Sequence, residues 1–221
     1  MGSYGGPDIV TDGLILALDA GSARSYSGSG TAWNDLSGEV NNGTLTNGPT
    51  FDSANGGSFD LDGSDDFVAI NNTFNQQVFS IDLWVNPGTS QVQYADIIDN
   101  NHTGSRSWAL QQASNSLNNY YFYTMGQTSS TYFITASVWS HIVITFSSSS
   151  NQKKIYRNGV LINTSSAPTI TYDGTQFLRL GKWGLGGRNW NGLMSTAFMY
   201  SKVLTQAEVT QNYYAKKNRF I

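Results

Sequence analysis

The sequence contains no cysteine, only four prolines and only two glutamates, and its formal net charge is −3. The absence of cysteine excludes disulfides, thiolate metal sites and a cysteine nucleophile, and it leaves the redox compartment undetermined. Because the Lys and Arg residues form no run longer than a pair, we expect neither nucleic acid nor an anionic membrane as a partner. No segment approaches the roughly 20 apolar residues of a membrane span, and residues 1–7 lack the basic and apolar regions of a secretion signal.

Glycine and aromatic residues are abundant instead, with 23 Gly, 12 Tyr, 11 Phe and 6 Trp in 221 residues. Aromatic side chains suit the half-buried surface of a sheet, and glycine supplies the positive φ angles of tight turns. Short apolar segments alternate with turn residues, which predicts an all-β sandwich or barrel that forms one domain over residues 1–221. The predicted strands cover residues 13–19, 58–70 (two strands joined by a short turn), 78–85, 95–99, 108–111, 120–125, 132–135, 140–146, 155–157, 160–162, 177–180 and 193–200.

Local patterns predict a hairpin and one helix. The Asn-Gly pair at 158–159 is a strong hairpin signal, because both residues tolerate positive φ. Thr205 and Glu208 have the spacing of a capping box, which predicts a C-terminal helix over residues 205–217. Residues 1–12 precede the first strand and are predicted to form an N-terminal arm.

Two further segments leave alternatives open. Residues 21–49 are rich in Gly, Ser and Asn but contain Tyr26 and Trp33, which predicts an ordered loop with short pieces of strand. In strand 78–85 the alternation places Asp82 and Trp84 on the face opposite the apolar residues. That face is either an open sheet surface or, as we favour, one on which a loop covers Trp84.

Six segments of the chain carry a family resemblance in their order along the sequence. They are 59–68 (FDLDGSDDFV), 79–87 (FSIDLWVNP), 139–146 (WSHIVITF), 155–160 (IYRNGV), 178–182 (LRLGK) and 190–208. Together they resemble the laminin-G-like jelly rolls of the concanavalin A-like lectin/glucanase group, which implies a two-sheet antiparallel jelly-roll sandwich with one short C-terminal helix. The opening, residues 6–38 with GPDIVTDGLILALDAG and SYSGSGTAWNDLSG, is also similar to a domain of tailed-phage structural and tail-associated proteins, which implies a virion protein.

The sequence offers no convincing catalytic group, and we predict that the protein is not an enzyme. Glycoside hydrolysis needs two carboxylates across the scissile bond, but Glu39 falls in a predicted loop and Glu208 in the helix cap. The Glu-x-Asp-x-x-Glu strand motif of the family's glucanases is absent. His141 is predicted to be packed or hydrogen-bonded in a strand, and His102 lies in a predicted loop without any nucleophile-elbow motif in the chain.

Four aspartates at positions 60, 62, 65 and 66 could suggest a calcium site. The EF-hand pattern fails, because Gly63 and Asn71 occupy its fourth and twelfth positions, and aspartate is also a common turn residue. Many relatives carry paired acids after the final Gly turn, where this chain has residues 192–196 (GLMST), which argues against the family's calcium site. We predict no cofactor and no tight metal site, and weak calcium binding stays open.

Residues 181–192 (GKWGLGGRNWNG) form the strongest candidate ligand site. The rings of Trp183 and Trp190 could stack on sugar faces, while Arg188 and Asn189 could bond hydroxyl groups. An interpretation of equal weight is that both tryptophans lock the loop onto the core or fill a subunit contact.

These observations lead to three hypotheses. The first is a non-enzymatic structural or adhesion protein on a virion tail or capsid, which contacts other virion proteins or its own copies and binds host-surface glycans. The second is a free carbohydrate-binding module or lectin of a cell, extracellular or at the cell surface. The third is a glycoside hydrolase.

Overall fold

Two antiparallel β-sheets face each other in the computed structural model, which describes residues 6–102, 105–113, 117–124, 127–132, 134–172, 177–184 and 186–221. The described residues contain sixteen strands and one α-helix, α1 (Gln206–Lys216). The strands are β1 (Leu14–Asp19), β2 (Ala32–Trp33), β3 (Gly43–Thr46), β4 (Thr50–Asp52), β5 (Ser58–Asp62), β6 (Phe67–Ile70), β7 (Val78–Pro87), β8 (Asp96–His102), β9 (Ser105–Gln112), β10 (Asn119–Thr124), β11 (Gln127–Tyr132), β12 (Ser140–Ser147), β13 (Gln152–Arg157), β14 (Val160–Ser165), β15 (Phe177–Leu180) and β16 (Asn191–Tyr200).

The strand order confirms the predicted all-β jelly-roll sandwich. Sheet A runs β14-β13-β12-β7-β16-β5-β4, and β1 also pairs with β16. Sheet B runs β11-β10-β9-β8-β15-β6-β3-β2. Seven of the fourteen strand pairings in the described chain join strands that are not consecutive in sequence, because the chain passes repeatedly from one layer to the other.

The core lies between the two sheets and is rich in aromatic side chains. Alternating residues of β7, among them Phe79 and Ile81, face it as predicted. Around Phe59, the rings of Tyr26 and Trp33 pack edge-on with centroid separations of 4.8 Å each, a favourable arrangement for aromatic pairs. The Gly- and Ser-rich segment that carries Tyr26 and Trp33 is therefore anchored by these two residues, as predicted.

The two strands predicted within residues 58–70, joined by a short turn, are confirmed as β5 and β6. They belong to different sheets: β5 pairs with β4 and β16, and β6 pairs with β3 and β15. The short turn between them joins the two layers, because turn residues reverse the chain without specifying its partners. The strand predicted at 132–135 is displaced, since β11 ends at Tyr132 and Ile134 is not in a strand; residue 133 lies outside the described part.

The prediction that His102 lies in a loop is also wrong. Strand β8 continues through the polar residues Asn100 and Asn101 and ends at His102, because β9 and β15 supply backbone partners on both sides. Side-chain pattern alone hides such a strand end, since the pairing comes from the backbone. The predicted Asn-Gly hairpin is confirmed: Asn158 and Gly159 have φ angles of 50° and 80° between β13 and β14.

Helix α1 and the residues after it cover the outer face of sheet A. Thr205 and Glu208 form the predicted capping box. The ring of Trp84 stacks on Phe220 at 4.3 Å and on Tyr213 at 5.9 Å, and the side chain is fully buried. Trp84 is therefore covered, as we favoured, although by the C-terminal helix and its extension rather than by a loop.

The C-terminal segment is also held by a buried ionic cluster, the Asp19 clamp, which consists of Asp19, Lys216 and Arg219. The Asp19 carboxylate accepts hydrogen bonds from Arg219 Nη1 at 2.8 Å and from Lys216 Nζ at 2.7 Å. Arg219 Nη2 donates to the carbonyl oxygens of Gly56 and Gly57, both at 3.1 Å, and to Ser195 Oγ at 2.8 Å. The clamp therefore joins the end of the chain to β1 and β16.

A buried lysine lies between the sheets. Lys153 is opposite Phe146 in the β12–β13 ladder and shares its inward face. Its side chain is 1% exposed, and in the described chain its ammonium donates one hydrogen bond, to Thr124 Oγ1 at 2.9 Å. Burial lowers the pKa of Lys153 to about 8, because desolvation penalises the charged form.

We expect Lys153→Met to raise the free energy of unfolding at pH 7 by about 1 to 2 kcal/mol, because methionine fills a similar volume without a buried charge. The native lysine binds fewer protons than the unfolded one above pH 8, so the wild-type protein gains stability from there towards pH 10. The difference between the two proteins should therefore shrink over that interval. Denaturant titrations at several pH values measure this difference in unfolding free energy. A difference that does not change with pH would contradict the lowered pKa of Lys153.

Candidate functional site

The segment at 181–192 passes from sheet B to sheet A at the rim of the sandwich. It follows β15 and leads into β16. Its ends are held by backbone hydrogen bonds, from Gly181 N to Ile97 O at 2.9 Å and from Trp190 N to Gly181 O at 2.8 Å. Arg188 O accepts from Asp96 N at 2.9 Å, so the middle of the segment is fixed to the start of β8. Rim loops on a rigid sandwich are common positions for binding sites.

The guanidinium of Arg188 lies close to two aromatic rings. Its Cζ is 4.4 Å from the ring centroid of Trp183 and 5.3 Å from that of Tyr94, and all three side chains are half-buried. We call these three residues the rim cluster. Such cation–π contacts orient the guanidinium while its edge keeps N–H donors for hydroxyl or carboxylate oxygens.

Two members of the rim cluster, Arg188 and Tyr94, have unusual backbone geometry. Arg188 has φ = 53° and Tyr94 has φ = 61°, in the left-handed region that bulky residues seldom adopt. Backbone strain of this kind concentrates at functional sites, where the surrounding structure maintains it. Sequence reasoning missed Tyr94, because a single tyrosine in the segment QVQY at 91–94 carries no pattern that indicates a site.

The two remaining predicted site residues have different environments. Asn189 is half-buried, and its Nδ2 donates a hydrogen bond to the carbonyl oxygen of Ser64, which joins the loop to the turn between β5 and β6. Trp190 is fully buried and belongs to the core between the sheets. The structure therefore brings Trp183, Arg188 and Asn189 to one region of the rim, whereas Trp190 has no exposed ring face.

A second group of cations lies on the outer face of sheet B. The Arg179 Cζ is 5.9 Å from the ring centroid of Phe67 and 5.2 Å from that of Phe177, and Lys182 Nζ is 4.4 Å from that of Phe67. Burial lowers the pKa of Arg179, and the charge of Asp99 on the neighbouring strand offsets part of this effect. Phe177 and Arg179 alternate with the buried Leu178 and Leu180 along β15.

The turn between β5 and β6, which Asn189 contacts through Ser64, is rich in aspartate. Carboxylate oxygens of Asp62, Asp65 and Asp66 lie within 4.8 Å of one another. Asp62 Oδ1 accepts from Ser64 N at 2.7 Å, and Asp66 Oδ2 accepts from Asp62 N at 3.2 Å. The Ser64 hydrogen bond lowers the pKa of Asp62, whereas burial raises that of Asp66. These bonds are those of turn-forming aspartates, and the absence of a tight calcium site stays a prediction.

Asp60 lies apart from this turn, on β5. Burial raises its pKa, and the charges of Asp52 and Asp62 add to the effect.

Two of the residues considered for catalysis, His141 and Glu208, have structural partners. The His141 Nε2 atom is 3.0 Å from Asp82 Oδ1, and both side chains are at most 1% exposed. Asn212 of helix α1 donates to Asp82 Oδ2 at 2.8 Å, so the pair is sealed beneath the helix. Glu208 caps that helix and forms an ion pair with Lys202 at 2.6 Å. The side chain of His102 lies outside the described part.

Sequence comparison identifies the family. A laminin-G-type family model, described as the concanavalin A-like lectin/glucanases superfamily, matches residues 62–210. The chain belongs to this superfamily. No curated protein matches it. Among the described residues, no helix has the length and apolar character needed to cross a membrane.

Solved structures of similar fold include two toxin binding domains and a sialidase, each longer than this chain. The binding domain of Paraclostridial Mosquitocidal Protein 1 has a TM-score of 0.70 and 17% identity over 92% of this chain and 52% of its own. The binding domain of Botulinum Neurotoxin DC in complex with SialylT has a TM-score of 0.69 and 17% identity over 92% and 51%. Trypanosoma rangeli sialidase in complex with sialic acid has a TM-score of 0.70 and 13% identity over 93% and 33%.

This superfamily member therefore spans about half the length of the two toxin domains and a third of the sialidase chain. At such identities the likeness extends to the fold alone.

Proposed function

We propose that this concanavalin A-like domain is a non-catalytic carbohydrate-binding module whose site is the rim cluster with Asn189 beside it. The observation that carries the proposal is the position of the Arg188 guanidinium, held 4.4 Å from the Trp183 ring and 5.3 Å from the Tyr94 ring. A guanidinium held in this way loses little conformational entropy when its N–H groups bond sugar oxygens. The half-buried aromatic rings offer apolar contact to the sugar.

Two further observations support this function. Similar folds occur in a toxin binding domain in complex with SialylT and in a sialidase in complex with sialic acid. The burial of His141 and Asp82 beneath helix α1 and the capping role of Glu208 support a module without catalysis. We extend the proposal to a setting on a virion tail or capsid, supported by the resemblance of residues 6–38 to tailed-phage proteins; the alternative setting is a free lectin of a cell.

A glycan array probed with the purified protein tests the proposal. We expect selective binding of at least one glycan class, and we expect Trp183→Ala and Arg188→Ala each to weaken it by about tenfold or more, since aromatic and charge-assisted contacts each contribute about 1 to 3 kcal/mol. Arg188→Lys should also bind more weakly, because it keeps the charge but loses the planar fork.

The matched control is Tyr214→Ala, which removes an exposed aromatic ring on helix α1. This variant should bind like the wild-type protein. Unchanged binding by the folded Trp183 and Arg188 variants would place any site elsewhere, and a protein that binds no glycan would support a packing role for the loop. If the protein is a virion component, antibodies against the chain should label tails or capsids. If it is a free lectin of a cell, they should label cells and not virions.

A further inference from the structure

A cleft lies between the N-terminal arm and helix α1. The helix buries Val209 and Asn212 against sheet A, and the cleft runs along the opposite side of the helix, from Ala207 to Lys217. Gly6 and Pro7 of the arm form its other wall. Its volume of about 450 Å³ falls within the range of small-molecule sites, roughly 300 to 1,000 Å³.

The arm is fixed to the helix, so the cleft is already formed in the protein without a ligand. Gln211 Nε2 donates a hydrogen bond to the carbonyl oxygen of Asp8 at 2.8 Å, and Asn212 Oδ1 accepts one from Val10 N at 2.8 Å. A Cβ at Gly6 would lie 2.4 Å from a carbonyl oxygen of the helix, so the backbone of the arm lies directly on α1. A preformed cleft loses little conformational entropy when it binds a ligand.

The polar end of the cleft is an ammonium group held on an aromatic ring. Lys217 Nζ lies 4.2 Å from the ring centroid of Tyr214 and 6.0 Å from that of Tyr213, and in the described chain no carboxylate pairs with it. Tyr214 is 46% exposed, and its ring packs edge-on against Tyr213 at 5.3 Å. The ring and the ammonium are therefore both positioned, and the ammonium keeps N–H donors for an anion.

The charges around the cleft favour a ligand with a single negative charge. Lys216, Lys217 and Arg219 lie within four positions, and Lys216 and Arg219 share the carboxylate of Asp19, so the segment keeps a net positive charge. Lys217 is the cation that lines the cleft. A dianion such as phosphate would need a second cation there, and the negative C-terminal end of the helix dipole would oppose its second charge.

We propose that this arm–helix cleft binds a small organic carboxylate. The acid group of the ligand pairs with the Lys217 ammonium, and its apolar part lies along the Tyr214 ring and between Pro7 and Ala207. The cleft is separate from the rim cluster, so this ligand and a glycan can bind independently. Loss of one binding activity therefore leaves the other measurable.

Nuclear magnetic resonance titration of the isotope-labelled full chain tests the proposal with three matched pairs of probes. These are phenylacetate, benzoate and hexanoate, each compared with its primary amide. Titration up to about 10 mM reaches the millimolar affinities expected of such small ligands. At least one acid should shift the backbone amide signals of Tyr214 and Lys217. It should bind about tenfold more tightly than its amide, because a charge-assisted hydrogen bond is stronger than a neutral one.

Side-chain variants identify the groups that bind the acid. Lys217→Gln should remove the preference for the acid over its amide, and Lys217→Arg should retain most of it. Tyr214→Ala should weaken both probes by about threefold or more, because it removes the apolar contact. The matched control is Lys182→Gln, which removes an ammonium at a similar distance, 4.4 Å, from the Phe67 ring; this variant should bind the acid like the wild-type protein.

Three results would overturn the proposal. One is the absence of binding, or an equal affinity for each acid and its amide. Another is a set of signal shifts confined to residues away from the cleft. The third is an equal loss of acid binding in folded Lys182→Gln and Lys217→Gln, since general surface charge would then explain it.

Discussion

Replacing Arg219 with alanine is expected to lower the free energy of unfolding by about 3 to 5 kcal/mol, the range for removing one partner of a buried ion pair. The variant would leave Asp19 with Lys216 as its remaining cation, and it would remove the donor to the carbonyl oxygens of Gly56 and Gly57. The backbone packs closely around this guanidinium, because a Cβ at Gly21 would lie 1.9 Å from Gly56 O and 2.3 Å from Arg219 Nη2. Denaturant unfolding followed by circular dichroism measures the loss.

The pH dependence of unfolding of Arg219→Ala distinguishes the stability lost with the charge from the stability lost with side-chain packing. Burial alone would raise the pKa of Asp19, but Lys216 and Arg219 outweigh it and hold the pKa below 3.8. The stabilisation from ionised Asp19 is therefore present above about pH 4 and lost as the pH falls through its folded pKa. Without Arg219 the carboxyl is protonated at higher pH, so the deficit of the variant should shrink on acidification.

The control for this prediction is Lys217→Ala, which removes a neighbouring cation outside the Asp19 clamp. Lys217 is half-buried and its ammonium lies 4.2 Å from the Tyr214 ring centroid. Because an exposed cation–π contact contributes about 0.5 to 1 kcal/mol, the expected loss is well below that of Arg219→Ala. An equal loss in both variants would mean that the C-terminal segment contributes through general charge and not through the clamp.

Trp84→Ala should lower the free energy of unfolding by about 3 to 5 kcal/mol, the range for removing a large buried aromatic side chain. Trp84 is fully buried and contacts Phe220, Tyr213 and His141 at centroid separations of 4.3, 5.9 and 5.3 Å. The cavity would lie directly beneath helix α1, so amide hydrogen exchange in that helix should accelerate more than exchange in sheet B. Thermal unfolding and hydrogen exchange measure the two effects.

This variant also tests whether the outer face of sheet A, instead of the rim cluster, binds glycan. Folded Trp84→Ala should keep its glycan affinity, because Trp84 lies beneath the C-terminal segment and outside the rim cluster. Trp84→Phe, which retains part of the stacking, should lose less stability. Lost binding with unchanged stability would instead indicate that the outer face of sheet A opens in solution to receive ligand.

The strands with clear alternation were predictable from the sequence, and their partners were not. The alternation within Val78–Pro87 predicts both a strand and its inward face, and the Asn-Gly pair at 158–159 predicts a hairpin. The turn between β5 and β6 carries equally good turn residues, yet it joins different sheets. Pairing depends on which apolar faces meet across the whole domain, which a local pattern does not encode.

The candidate site was predictable only as a segment. Trp183 and Trp190 have the same residue type in one loop, but the first is half-buried at the rim and the second is fully buried in the core. Composition does not specify which side of a loop faces the sheets. Tyr94 is about ninety positions from Arg188 and reaches it only because β8 and the loop are joined through Asp96. Such a contact is a property of the tertiary structure.

Strand β16 pairs with β1, β5 and β7, all of which precede it by more than a hundred positions. During synthesis, β1 and β5 therefore leave the ribosome long before their shared neighbour exists. Sheet A can close only after residue 200 has emerged, and contacts of such long sequence separation slow folding. We therefore expect sheet A to form in one late, cooperative step, after β16 has emerged.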